Sequence, residues 1–396
     1  MDNIDIGWWI LLFLLPTFFA LGWFAARMDI RVILKQAKSV PSNLYHSLDA
    51  LIDRKSNIAA NALSEIVEQM MERKNNDITA QELGLSLGKL YRQRGENDKA
   101  IILHQQLLNS PDLDSVRRHK LQFELGQDFQ HAGLVDRAEQ QFEQLANTEM
   151  AKEADEILLN IYQQDRDWQK AIATASKLAH DETTYQFEIA QFYCELAQSA
   201  LFHSNYDTAR EYIQAALNAN RKCTRANMIL GDIESKQNHF QAAIDAYSAI
   251  EQQNYDYLSM VGSRLYDAYA ALNQADKGLQ VLIGYMKTFP HIDLIGVIYE
   301  KSLQLNGEQQ AAEITAKLIR NNPNLMGVYQ LLNIKISDLP SLWKTDADMV
   351  RTVVGRYVQK SMMYRCRHCH FKSQVFFWHC PACNHWETFT PNRIEV

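Results

Sequence analysis

Twenty-one consecutive residues from Ile6 to Ala26 carry no charge, and beyond them apolar and polar positions settle into helical patterns that continue as far as Gln359. As a helix at about 1.5 Å per residue, the apolar run would reach about 31 Å, the thickness of a bilayer's hydrocarbon core. Eleven of its residues are Leu, Ile or Phe, and Trp8, Trp9 and Trp23 lie near its two ends, where indoles favour the membrane interface. Asp2 and Asp5 precede it in place of the basic residues of a cleaved secretory signal, so the pattern predicts a retained anchor. Arg27, Arg31, Lys35 and Lys38 follow directly, which orients the body of the chain to the cytoplasm.

From about residue 41 the helical pattern repeats. In LGKLYRQRGENDKAIILHQQLL, Leu87, Gly88, Tyr91, Gly95 and Ala100 fill the signature places of a tetratricopeptide repeat. Leu125, Gly126, Phe129, Gly133, Ala138 and Phe142 fill them again. The small residue at which the two helices of a repeat cross falls at Ala59, Ala100, Ala138, Ala171, Ala209, Ala243, Gly278 and Ala312. The steps between them are 41, 38, 33, 38, 34, 35 and 34 residues, so the longer ones place extra residues in turns. Such units bury their apolar faces on one another and curve into a superhelix. The stretch from Val328 to Gln359 reads as a closing helical segment, and the copy around Ala59 as a degenerate cap.

Composition agrees. With only 15 Gly and 8 Pro in 396 residues, turns are too few for a mainly β chain. The formal charge of −7 is unevenly spread: −2 over residues 1–26, +3 over 27–40, −10 over 41–363 and +2 over 364–396. An acidic repeat region excludes a broad nucleic-acid surface there. No HExxH motif occurs, and Gly84 to Lys89, GLSLGK, which contains the letters G-x-S-x-G, lies inside a repeat helix and lacks both the spacing and the hydroxyl of a phosphate loop. The pattern therefore predicts a binding scaffold that is not an enzyme. Phe187, Phe192 and Tyr193 read as packing residues, and Cys194 and Cys223 as buried small hydrophobes.

The last stretch breaks the helical rhythm. Cys366-x2-Cys369-x10-Cys380-x2-Cys383 supplies two C-x-x-C pairs in a compartment where disulfides are rare, which points to one tetrahedral metal ion, zinc or iron. Residues 364–396 are too few to order themselves by burial, so metal binding must fold them. The spacer HFKSQVFFWH suits a strand or hairpin between two knuckles. His368, His370, His379 and His385 are spare donors once four thiolates are in place. An electron-transfer protein docked through its repeats and a zinc ribbon that touches nucleic acid are the competing functional readings.

These parts, in this order, resemble the lipopolysaccharide assembly protein B family of Gram-negative bacteria. The likeness is carried by LLFLLP and GW within Leu11 to Trp23, LYRQRGENDKAI at Leu90 to Ile101, DWQKAI at Asp167 to Ile172, FYCELA at Phe192 to Ala197, and the terminal YRC and WHCPAC. The resemblance implies an all-α tetratricopeptide superhelix over 41–363, an N-terminal transmembrane anchor within 1–26, a basic juxtamembrane segment at 27–40 and a rubredoxin-like module at 364–396. It further implies a single-pass inner-membrane adaptor that regulates lipopolysaccharide synthesis by helping a membrane-bound AAA+ protease degrade the deacetylase of the lipid A pathway. Contacts to lipopolysaccharide transport proteins are also implied, no nucleic acid is expected, and self-association stays open. Metal ligands would be Cys366, Cys369, Cys380 and Cys383, in a module packed against the repeats. Rubredoxin-type knuckles usually place Gly, often with positive φ, where this chain has His370 and Asn384.

Overall fold

The computed structural model describes residues 61, 63–67, 78–111, 113–179, 185–321, 323, 325–336, 339–391 and 394–395. The expected anchor at 6–26, the basic segment at 27–40 and the repeat around Ala59 lie outside them. No helix among the described residues is long and apolar enough to cross a membrane.

Helices dominate. They run as α1 (Ile78–Gln93), α2 (Asn97–Leu108), α3 (Ser115–His131), α4 (Val135–Glu143), α5 (Ala151–Asp165), α6 (Trp168–Ala179), α7 (Gln186–Phe202) and α8 (Tyr206–Ala219). Then follow α9 (Thr224–Lys236), α10 (Phe240–Asn254), α11 (Leu258–Ala271), α12 (Ala275–Thr288), α13 (Ile295–Asn306), α14 (Glu308–Asn321), α15 (Leu325–Lys335) and α16 (Ser341–Ser361). α1 with α2, α3 with α4, α7 with α8, α9 with α10, α11 with α12 and α13 with α14 form the helical hairpins that the repeat spacing predicts. The closing segment begins slightly earlier than its sequence pattern suggests and divides into α15 and α16. The chain separates into two compact units, residues 1–161 and 162–396.

One turn geometry recurs through the repeats. Gly95, Gly133, Arg166, Ser204, Asn238, Asn273 and Gly307 all have positive φ, from 58° to 80°. Each stands five residues before the repeat's small residue, from Ala100 to Ala312. After Gly95, the amide of Glu96 donates to Tyr91 O at 2.9 Å while Gly95 N donates to Arg92 O at 2.9 Å. This pairing caps the first helix with a left-handed residue and launches the second. The same long-range bond recurs from Leu134 to Phe129, Asp167 to Tyr162, Asn205 to Ala200, His239 to Glu234 and Gln274 to Tyr269.

The hairpins close on small residues. Ala100, Ala138, Ala171, Ala209 and Ala243 are fully buried. A second small position, Gly88, Gly126 or Gly231, faces a ring sixteen residues on. A Cβ there would stand 2.2 Å from His104, 2.8 Å from Phe142 and 2.3 Å from Tyr247 respectively. In the first unit His104 replaces the apolar ring, and its buried Nδ1 donates to Asp128. Arg92 bridges that carboxylate at 2.6 Å and Glu124 at 2.6 Å, so the buried acids are paired.

In the second unit the principal core runs from Met228 on α9 to Ile319 on α14, and Phe376 and Trp378 from the C-terminal module pack against it. The module is a small antiparallel sheet in the order β2-β1-β3. β1 (Met362–Arg365) pairs with β2 (Lys372–Ser373) through Tyr364 and Ser373, and with β3 (Ile394–Glu395) through Met363 and Ile394. Only Lys372 and Ser373 of the ten-residue spacer are strand. The β-prone VFFW that follows leaves the ladder because its rings are used to pack against the repeats and the module's own core.

Candidate metal centre

Two equivalent turns bring the four cysteines together. Cys366 accepts at its carbonyl from His370 N at 3.0 Å, and Cys380 from Asn384 N at 2.9 Å. The amides of Cys366 and Cys380 in turn donate to Phe371 O and His385 O, each at 2.9 Å. His370 and Asn384 take φ of 63° and 55°, the left-handed conformation expected at the two glycine places. Cys369 N points at the Cys366 sulfur at 3.5 Å, and that sulfur lies in hydrogen-bond contact with Thr388 Oγ1 at 3.3 Å.

All four sulfurs lie within 4.8 Å of one another. Cys366 Sγ is 3.8 Å from Cys383 Sγ, and Cys369 Sγ is 3.7 Å from Cys380 Sγ. These separations are far too long for disulfides. Four thiolates about 2.3 Å from a central ion would stand about 3.8 Å apart, the separation of the Cys366–Cys383 and Cys369–Cys380 sulfur pairs, so the donor set suits a tetrahedral ion. Burial opposes ionisation of Cys366, but the amides of Cys369 and His368 and the Thr388 hydroxyl outweigh it and hold the thiol down at about 6. Burial pushes the Cys380 and Cys383 thiols up. A cation among them would offset the cost of ionising all four.

The spare histidines are placed differently from one another. His379 stacks on Trp386 at 4.4 Å, and its Nε2 donates to Asn384 O at 3.0 Å. His385 Nδ1 donates to Cys383 O at 2.7 Å, and its ring stacks on that of His368 at 3.8 Å.

The module does not hang free. Trp386 fits between α5, α6 and α7: its ring meets Trp168 edge-on at 5.9 Å and Phe192 at 5.8 Å, and its Nε1 donates to Gln163 at 3.0 Å. Trp378 stacks on Tyr257 at 5.2 Å with the planes 7° apart. Burying such rings stabilises the docked state by roughly 2–3 kcal/mol each.

Arg225 of α9 lies between the two indoles, 5.4 Å from Trp378 and 6.0 Å from Trp386. Only 3 % of it is exposed, and its Nη2 donates to Glu195 at 2.8 Å and Gln198 at 3.0 Å. Glu387 has φ of 52° and accepts from buried Gln191 at 3.3 Å. Burial pushes its carboxyl up to about 7, against the opposing pull of Tyr257 and Arg225. Arg367 reaches Asp256 at 3.3 Å from the other side of the knuckle.

Sequence reasoning named Phe192 as packing, and it is fully buried, but its partner is the metal module as well as its own repeat. Cys194 and Cys223 are fully buried, with their sulfurs 3.8 Å apart. The docking roles of Arg225, Trp168 and Tyr257 escaped sequence reasoning because nothing in the local pattern at these positions marks a contact with the distant C-terminal module.

Comparisons with known proteins agree with this architecture. Residues 364–391 match the model of a rubredoxin metal-binding domain, and residues 83–115 and 194–257 match tetratricopeptide-repeat models. Lipopolysaccharide assembly protein B of Escherichia coli K12 is 27% identical over 388 residues, which cover 97% of this chain and 98% of that protein. The protein of the same name from Haemophilus influenzae is 27% identical over 387 residues, 96% of this chain and 98% of its own length. Repeats, terminal module and coverage together make this chain similar, along almost its whole length, to lipopolysaccharide assembly protein B.

Proposed function

We propose that the chain is a membrane-tethered adaptor of lipopolysaccharide assembly. In this reading residues 6–26 anchor it in the inner membrane, and the repeats over 41–363 grip protein partners. One zinc or iron ion on Cys366, Cys369, Cys380 and Cys383 folds the module at 364–396. The observation that carries the reading is the docking of that module on α5 to α11 through Trp386, Trp378 and Arg225. A metal-dependent module fused to a repeat surface in this way is a structural part of a binding platform. The naming of the full-length relatives supports lipopolysaccharide assembly as the process served.

The finer reading is that the adaptor presents the lipid A pathway deacetylase to a membrane-bound AAA+ protease and contacts transport proteins as well. Tethering would raise the effective concentration of such membrane partners around the repeats. The test compares the deacetylase half-life in cells whose only copy is the full chain with that in cells carrying a chain deleted of residues 1–26. The reading expects the deacetylase to persist with the truncated chain although the body remains folded. Equal half-lives would remove tethering from the account.

A further inference from the structure

We infer that His368, His385 and Cys383 form a second metal site, on the solvent side of the four-cysteine centre, for a borderline divalent transition metal such as Zn²⁺. The inference rests on the proposed occupancy of the four-cysteine centre, with which it shares a sulfur. One ligand atom from each of the three residues lies within 4.8 Å of the others. Both imidazoles are exposed, and Cys383 is half-buried. The rings stack at 3.8 Å with planes 21° apart, so an exposed imidazole must turn about its own side-chain torsions for both lone pairs to meet one ion.

The hydrogen bonding leaves one nitrogen of His385 free to ligate. A carbonyl only accepts, so the contact of His385 Nδ1 with Cys383 O fixes the proton on Nδ1 and leaves the Nε2 lone pair available. Donation of the second ring nitrogen to a backbone carbonyl is the usual way a ligating histidine is oriented. The juxtaposition itself comes from the fold: Arg367 N donates to Thr388 O at 2.7 Å, and Cys366 bridges Phe389, so the two knuckles lie side by side. Two imidazoles and a thiolate suit zinc-like ions, with a fourth position left to water. A thiolate has lone pairs enough to serve two ions, so Cys383 need not leave the first.

The experiment uses the full chain in detergent. Tightly held metal is measured by elemental analysis, and Zn²⁺ is then titrated against a chromophoric competitor. One further equivalent is expected, weaker than the first. H368N/H385N should lose that second equivalent and keep the first, while H379N should keep both. If the double variant misfolds, H368N alone decides, because His368 bonds no backbone group among the described residues. A wild-type chain that takes up only one equivalent, or a second equivalent that survives in the histidine variants, overturns the inference and leaves the four-cysteine centre standing. Absence of the first equivalent from the wild-type chain would instead overturn the proposed metal module, and this inference with it.

Discussion

Arg225 lies 5.4 Å from the ring of Trp378, a buried guanidinium from the repeats set against an indole of the metal module. Its Nε and Nη1 have no hydrogen-bond partner, so the faces of Trp378 and Trp386 are what that part of the cation meets. A desolvated cation over an indole is stabilised by about 2 kcal/mol. Arg225→Ala should therefore destabilise the second unit by about 3 kcal/mol and loosen the module. Arg225→Lys, which keeps the charge and loses the flat stack, should cost roughly half as much. Thermal melts and proteolytic release of the segment after residue 361 measure both, and an unchanged release rate in Arg225→Ala would remove the arginine from the docking account.

The recurring left-handed position makes a second prediction. Ser204 holds φ of 58° where Gly133 holds 75° in its own repeat. A non-glycine residue there costs about 1 kcal/mol, so Ser204→Gly should stabilise by roughly 0.5–1 kcal/mol after the entropy of the unfolded chain is counted. Gly133→Ala should destabilise by about 1 kcal/mol. Denaturant midpoints for the two variants should move in opposite directions.

Acid sensitivity of the first unit follows from Glu124. Burial raises its pKa, but the hydrogen bonds from Lys89 and Arg92 outweigh burial, and the carboxyl titrates below its ordinary value. A folded-state pKa below the unfolded one contributes stability that is present above the unfolded value, about 4.3, and is lost as pH falls through the folded one. Amide exchange over residues 78–143 should accelerate as the pH drops below about 4. Glu124→Gln should flatten that dependence, and a variant as acid-sensitive as the parent would contradict the assignment.

Much of this was legible beforehand. The repeat spacing follows from Ala100, Ala138 and their successors, because close helix crossings admit only small side chains. The four ligand positions, and the left-handed turns at His370 and Asn384, follow from the knuckle spacing. The turns at Gly95 and Gly133 are visible for the same reason. Arg166 and Ser204 are not, since their conformation is imposed by capping bonds between neighbouring backbone groups and leaves no mark on side-chain identity. The docking surface was hidden more deeply. Arg225 reads as a helix-surface arginine until Trp378 and Trp386, more than 150 positions away, are seen to enclose it.

The central claim is that one metal ion both folds the terminal module and fastens it to the repeats. Hydrogen–deuterium exchange on the full chain, before and after substitution of Cys366 and Cys369 with Ser, tests it most directly. The account predicts lost metal, fast exchange across residues 364–391, and raised exchange in α7 and α9, where Phe192 and Arg225 lose the indoles that cover them. Metal lost with α7, α9 and residues 364–391 protected as before would contradict it.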